Sequence, residues 1–326
     1  MKSIRKYILA AILAAFMLPA SCWQNELFDL AKNGVPLVYA IITTTAGGSN
    51  RILMVTDGGD YYKEYMLYDE STMMNITDSV TNIAVSEHGE VYIKTVSEIL
   101  YRSNHGLGYM KQLEAGGPVT VSWMVVHGDS LYVNDGSSTI WRYSEGWSSY
   151  PLPGTPTHMG NENGTGRPFF TYAPSTTWDF YWINESSYSM ALTTTIGGLS
   201  PYFLSMGDGG YWIGANDKPY YKTLSLSVPG SPPAINGYCR IGSSLYCIDS
   251  NLFLHKSNKA KTDMYLFDPL PLPANPAFTY AFGDSKIVVS TGTPGFYLYF
   301  YNLEKKSCYV FNKNTSFTAF ECMTVR

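Results

Sequence analysis

Four carboxylates beside tight glycine turns hold the most chemical promise in this chain of 326 residues: Asp57, Asp129, Asp208 and Asp284. Gathered around one pocket, they could divide general acid and base work. The runs Asp57-Gly58-Gly59-Asp60 and Asp208-Gly209-Gly210 could also offer oxygen ligands to calcium, but the further acids of an EF-hand loop are missing. Plain turn chemistry competes at each site, because Asp and Gly are the residues that tight turns require. Five histidines, His88, His105, His127, His158 and His255, could supply a base or metal ligand. No two have ligand spacing on one helix or hairpin. His88 and His127 fall at equivalent turns of consecutive repeats, which points to a residue encoded by the repeat.

Linear motifs of catalysis are missing. There is no Walker loop, G-x-G-x-x-G, G-x-S-x-G elbow or H-E-x-x-H. The glycines of Asn161 to Arg167 lack the lysine and the strand-to-helix setting of a phosphate cradle and read as a turn-rich loop. No cofactor or metal site is expected.

What positions these residues is a repeat. An apolar-aromatic-apolar strand after a Gly/Ser/Asp turn occurs at Val91-Tyr92-Ile93, Leu131-Tyr132-Val133, Tyr181-Trp182-Ile183, Tyr211-Trp212-Ile213 and Leu245-Tyr246-Cys247. Leu53-Met54-Val55 and Ile287-Val288-Val289 are weaker copies, and the seven centres stand 38, 40, 50, 30, 34 and 42 residues apart. A period near forty with several short strands per repeat predicts an all-β fold, a seven-bladed β-propeller, with six or eight blades as neighbouring solutions. Thr81 to Ser86, Glu90 to Thr95 and Ile99 to Ser103 read as one set of inner, aromatic and outer strands. Ser122 to Val126, Ser130 to Asn134 and Thr139 to Ser144 read as the next. The proline-rich segments 151–156, 228–233 and 269–276 each precede a new inner strand and should cross between blades, since proline cannot donate to a ladder. Residues 154–168 form the longest irregular stretch, and Thr318 to Val325 is a spare strand for closing the ring.

The amino end has a different character. Lys2, Arg5 and Lys6 precede an apolar run from Ile8 to Leu18 and then Pro19-Ala20-Ser21-Cys22. This is the pattern of a processed leader over residues 1–21, too short for an ordinary membrane-spanning helix. Residues 22–36 then form a tether, and 37–326 a single propeller domain. The only helical pattern is the short stretch Glu26 to Lys32. Without residues 1–21 the chain holds 19 Lys and Arg against 26 Asp and Glu. That balance argues against nucleic acid and against a polybasic membrane face.

Four cysteines remain after Cys22. A three-residue loop at 242–244 would place Cys239 opposite Cys247, and a five-residue loop at 313–317 would place Cys308 opposite Cys322. Two cross-strand disulfides follow, each contributing about 2.5 to 3 kcal/mol by chain entropy. Four buried free thiols are the alternative.

Cys22 after small residues resembles the lipobox of bacterial lipoproteins, with Leu18 one place further upstream than usual. The resemblance implies acylation of Cys22 and anchoring of a soluble domain to a membrane of the bacterial cell envelope. An ordinary secretory cut near Ala20 is the alternative. The turn and aromatic-centred strand resemble the blades of NHL-type propellers. Tyr92, Tyr132 and Tyr246 are similar to strand residues of outer-membrane assembly propellers, but no Thr-Gly-Lys follows any of them. Ser205 to Trp212 resembles an Asp-box with its aspartate one place late. Together these features lead to the expectation of a non-enzymatic binding or scaffold lipoprotein for a protein partner or surface glycan. A propeller hydrolase or lyase with a site in the central funnel is the alternative. Aromatics outside the repeat strands, Trp141, Trp147, Tyr150, Trp178 and Tyr220, are candidates for partner contacts, with blade packing as the competing use.

Overall fold

In the computed structural model the described residues are 35–44, 48–57, 62–103, 108–113, 116–162, 166–173, 177–195, 199, 201–207, 210–215, 218–230, 234–291, 297–312 and 317–325. Their regular structure is all strand. Seven sheets stand around one axis as a seven-bladed β-propeller. The leader, Cys22, the stretch Glu26 to Lys32, Asp60, His105 and Asp208 lie outside the described residues.

The four principal strands of each blade form an antiparallel ladder running outward from the axis. Blade 3 illustrates the plan, with Trp123–His127 innermost, then Ser130–Asn134, Thr139–Tyr143 and Trp147–Pro151. The inner strands of blades 2, 4, 5, 6 and 7 are Val80–Val85, His158–Asn161, Pro201–Gly207, Ile235–Ile241 and Pro276–Phe282. Blade 1 is shared between the chain ends. Phe317–Val325 is its inner strand and pairs with Leu37–Thr44, followed by Asn50–Thr56 and Tyr62–Met66. The spare strand thus closes the ring by completing the first blade from the other end of the chain. The proline segments 151–156 and 269–276, and the described residues 228–230 of the third, run between consecutive blades, as their missing donors require.

Alternation along the second strands sets the core. In each, residues alternate between the following blade and the preceding one. Tyr92 of blade 2 packs on Leu131 and Val133 of blade 3, and Val288 of blade 7 packs on Val38, Ala40 and Ile42 of blade 1. Polar clamps join the same faces. Lys94 Nζ donates to the Val121 carbonyl (2.8 Å), Glu98 accepts the Val121 N–H (2.7 Å), and the two side chains pair at 2.8 Å. In blade 6, Asp249 meets His255 Nε2 at 2.9 Å and accepts the N–H groups of Asn251 and Phe253.

Three expectations are corrected. First, Leu53-Met54-Val55 and Tyr181-Trp182-Ile183 lie on third strands. The equivalent residues that face the next blade from the seven second strands, one from each, are Tyr39, Tyr92, Tyr132, Phe169, Trp212, Tyr246 and Val288. Their spacing is 53, 40, 37, 43, 34 and 42, steadier after the first interval. The long first interval contains an added hairpin, Tyr68–Asp69 with Met74–Asn75, which extends blade 2 at its outer edge. Second, the stretch 154–168 holds the inner strand of blade 4, His158–Asn161. Gly160 and Asn161 have little strand propensity, so pairing with Pro168–Tyr172 decides their conformation.

Third, the disulfide pairs are not formed. The turn between Ile241 and Ser244 has two residues, so Cys239 pairs with Tyr246 and Cys247 with Tyr238. A one-residue slip sends the two side chains to opposite faces. Cys239 enters the cluster shared with blade 7, Cys247 the one shared with blade 5, and both are buried free thiols. Cys308 is also free and stands on the outermost strand of blade 7, whereas Cys322 belongs to the innermost strand of blade 1. The chain leaves one blade between them instead of turning back on itself.

Candidate functional site

The seven inner strands enclose an axial channel of about 770 Å³. The inner strands of blades 2 to 7 each begin at a connector and end at the turn into the second strand, so one mouth collects the strand starts and the other the turns. At the connector mouth stand Trp123, His158, Tyr202, Asn236 and Phe278, contributed by blades 3 to 7. Toward the turn mouth lie Asn161 and Arg240.

The connector mouth is aromatic. Trp123 and His158 are 4.8 Å apart by ring centroids, and His158 lies 6.4 Å from Phe169. Burial in this stack pushes the His158 imidazole down to about 4, so it is neutral at neutral pH. Tyr202 is 52% exposed, with its ring edge against Tyr238 at 5.6 Å and its hydroxyl donating to the Ile235 carbonyl (3.3 Å). Among the wall groups, Asn236 Nδ2 and Thr279 Oγ1, on the adjacent inner strands of blades 6 and 7, are buried without a hydrogen-bond partner. Thr95 and Ser290 hydroxyls are also unpartnered, but both belong to second strands inside the blades.

Charge is placed around the ring. Residues 37–200 carry 16 Asp and Glu against 7 Lys and Arg, and residues 201–326 carry 8 against 11. The described lining of the channel includes one arginine, Arg240, one histidine, His158, and neither Asp nor Glu. Arg240 is 3% exposed and its Nε donates to the Gly242 carbonyl (2.8 Å).

The sequence candidates are therefore dispersed. Asp57 pairs with Lys286 across the junction of blades 1 and 7. Asp129 faces His88 at 3.4 Å, both largely exposed, and Asp284 is exposed in the turn of blade 7. His255 is committed to Asp249. Of the four described histidines only His158 lines the channel. Among the described residues no three His, Cys, Asp or Glu side chains gather in a metal-binding arrangement. The outer aromatics pack within and between blades: Trp141 and Trp147 meet edge to face at 6.5 Å, and Trp178 and Tyr220 belong to the cluster between blades 4 and 5. Trp123, Tyr202, Asn236 and Thr279 went unmarked in the sequence because inner strands carry no fixed residue pattern. Their one signal is position, a few residues before each tight turn.

No family model, those of NHL repeats included, and no curated protein matches the chain. Solved structures do. A protein from Lactobacillus plantarum superposes with a TM-score of 0.62 at 13% identity, over 89% of this chain and 99% of that one. A Bacteroides fragilis protein provisionally named as a 6-phosphogluconolactonase gives 0.58 at 9% identity, over 90% and 98%. YCF48 bound to a D1 peptide gives 0.52 at 13% identity, over 78% and 93%. At such identities the likeness carries the fold alone: the chain shares the architecture of propeller proteins with varied roles.

Proposed function

We propose that this protein is a binding propeller of the bacterial cell envelope, held to a membrane through acylated Cys22, that offers its axial channel and the face around it to a protein partner or surface glycan. One observation carries the reading: five consecutive blades each place an aromatic or amide side chain at the same channel mouth, while Asp57, Asp129 and Asp284 stand elsewhere. Aromatic rings with polar tips are the residues that anchor recognition sites. The leader pattern of residues 1–21 supports export, and the loose lipobox supports the anchor.

Crosslinking and co-purification of the membrane-anchored protein test the binding role. A reproducible partner or glycan should be recovered, and recovery should fall at least tenfold in a Trp123→Ala, Tyr202→Ala protein. Turnover of an envelope glycan abolished by a single channel substitution, with no partner recovered, would replace this reading with an enzymatic one. Intact mass of the amino-terminal peptide tests acylation, and a Cys22→Ala protein should leave the membrane fraction.

A further inference from the structure

We infer that the connector mouth of the channel is a site for a neutral saccharide, with Trp123 and Tyr202 as stacking surfaces and Asn236 and Thr279 as hydrogen-bonding groups. The inference rests on the binding role proposed above and narrows it to one ligand chemistry.

A sugar ring has two kinds of surface. Its C–H face is apolar and lies flat on an aromatic ring, while its rim of hydroxyls both donates and accepts. The mouth has complementary parts. Tyr202 keeps 52% of its surface exposed although it lines the channel, and the partly exposed Trp123 lies one blade beyond His158. Asn82 and Asn236 put amides into the wall, and Thr279 adds a hydroxyl. Asn236 Nδ2 and Thr279 Oγ1 have no partner in the protein and sit just behind the channel surface, so a rotation of either side chain toward the channel its residue lines brings it to a ligand's hydroxyls. Thr279 also has room made for it. A Cβ on Gly237 would come within 2.3 Å of Thr279 Oγ1, so the glycine permits the hydroxyl its position between the two strands.

Electrostatics narrows the ligand further. A charged ligand drawn out of water needs a matching charge at its site. The connector mouth has none: His158 is neutral at physiological pH, and the one cation of the described lining, Arg240, belongs to the opposite end. A peptide strand is also a poor fit, because strand addition needs one continuous free edge, whereas here seven inner edges converge from all sides. A polyol with hydroxyls pointing in every direction meets such a wall on all of them. The volume of about 770 Å³ lies within the usual range for small-ligand sites, roughly 300 to 1,000 Å³.

Tryptophan fluorescence and titration calorimetry on the intact mature protein test this. The probes are neutral trisaccharides of mannose, glucose, xylose and N-acetylglucosamine, followed by an array of neutral glycans, with trigalacturonate and an uncharged peptide as controls. At least one neutral saccharide should bind with a submillimolar dissociation constant that changes less than twofold between low and high salt. Tyr202→Ala and Trp123→Ala should each weaken it at least tenfold, and Asn236→Ala and Thr279→Val about threefold or more, in variants that still unfold cooperatively. No binding across the array, binding of trigalacturonate or the peptide alone, or affinity indifferent to Tyr202→Ala and Trp123→Ala would overturn the assignment. If an envelope partner still co-purifies in that case, the binding role stands and only the saccharide falls. Loss of both removes the binding role itself.

Discussion

Between blades 2 and 3, Tyr92 meets Leu131 and Val133 with all three side chains withdrawn from solvent, and an ion pair clamps the backbone of Val121 beside them. Along the axis the same kinds of residue are finished differently. Tyr202 is half exposed, Trp123 and His158 meet at a tilt of 55°, and neighbouring strands hold an amide and a hydroxyl without partners. The blade faces are spent on stability and the channel mouth is not. Residues that break the local rules of packing and polar pairing mark functional places in folded proteins, and here they converge on one mouth of the ring.

Perturbing the blade faces should cost most. Deleting residues 317–326 removes the inner strand of blade 1 and exposes the edge of Leu37–Thr44, so the truncated protein should lose cooperative unfolding in circular dichroism and aggregate. A truncated chain that melts like the whole would show that ring closure is dispensable. Tyr92→Ala empties a fully buried site and should cost about 3–5 kcal/mol in urea denaturation, as for other large aromatics cut to alanine. His255→Ala leaves Asp249 as a buried carboxylate without its ring partner and should cost about the same.

His158 stands between the two regions, stacked on the blade residue Phe169 yet lining the channel. Its imidazole is depressed to about 4 in the folded protein, against an unfolded value near 6.5. The unfolded chain therefore takes up the proton first. The contribution is fully present above pH 6.5 and is lost as pH falls from 6.5 through 4, about 3 kcal/mol in all. The ring neighbours, Trp123 and Phe169, do not titrate, and Asp69, Asp78 and Asp135, held below the usual carboxylate range, weaken the fold only at lower pH. Urea midpoints should fall across that window and flatten in His158→Phe. An equal slope in both proteins would remove His158 as the cause.

How much of this was legible in the sequence follows from the same division. Blade faces impose alternation, so Tyr92, Tyr132, Trp212, Tyr246 and Val288 announced five second strands, and the spare strand announced closure. Blade 4 escaped because Phe169 has an aromatic neighbour and a polar residue after it, while the more regular Tyr181-Trp182-Ile183 lies one strand further out. The cysteine pairing failed on a single residue of turn length, the step that inverts every side chain on a strand. The channel mouth was hidden for a different reason. Its residues come from five blades, each from the strand with the weakest pattern, and only the ring brings them together.

The smallest effect on stability is expected at Tyr202, and it divides the two regions most directly. Its ring is 52% exposed, and its hydroxyl contacts, to the Ile235 carbonyl at 3.3 Å and the Tyr238 hydroxyl at 3.4 Å, are long. Phe203, the next residue on the strand, lies stacked on Tyr238 at 5.4 Å and 17°, so the blade contact survives removal of the tyrosine. Tyr202→Ala should therefore change stability by no more than about 0.5–1 kcal/mol, within the range of surface substitutions. Side-by-side urea titrations of Tyr202→Ala and Tyr92→Ala measure the contrast in one experiment. A Tyr202→Ala protein destabilised as much as Tyr92→Ala would make the channel mouth part of the core, and its aromatics would then be packing residues like the rest.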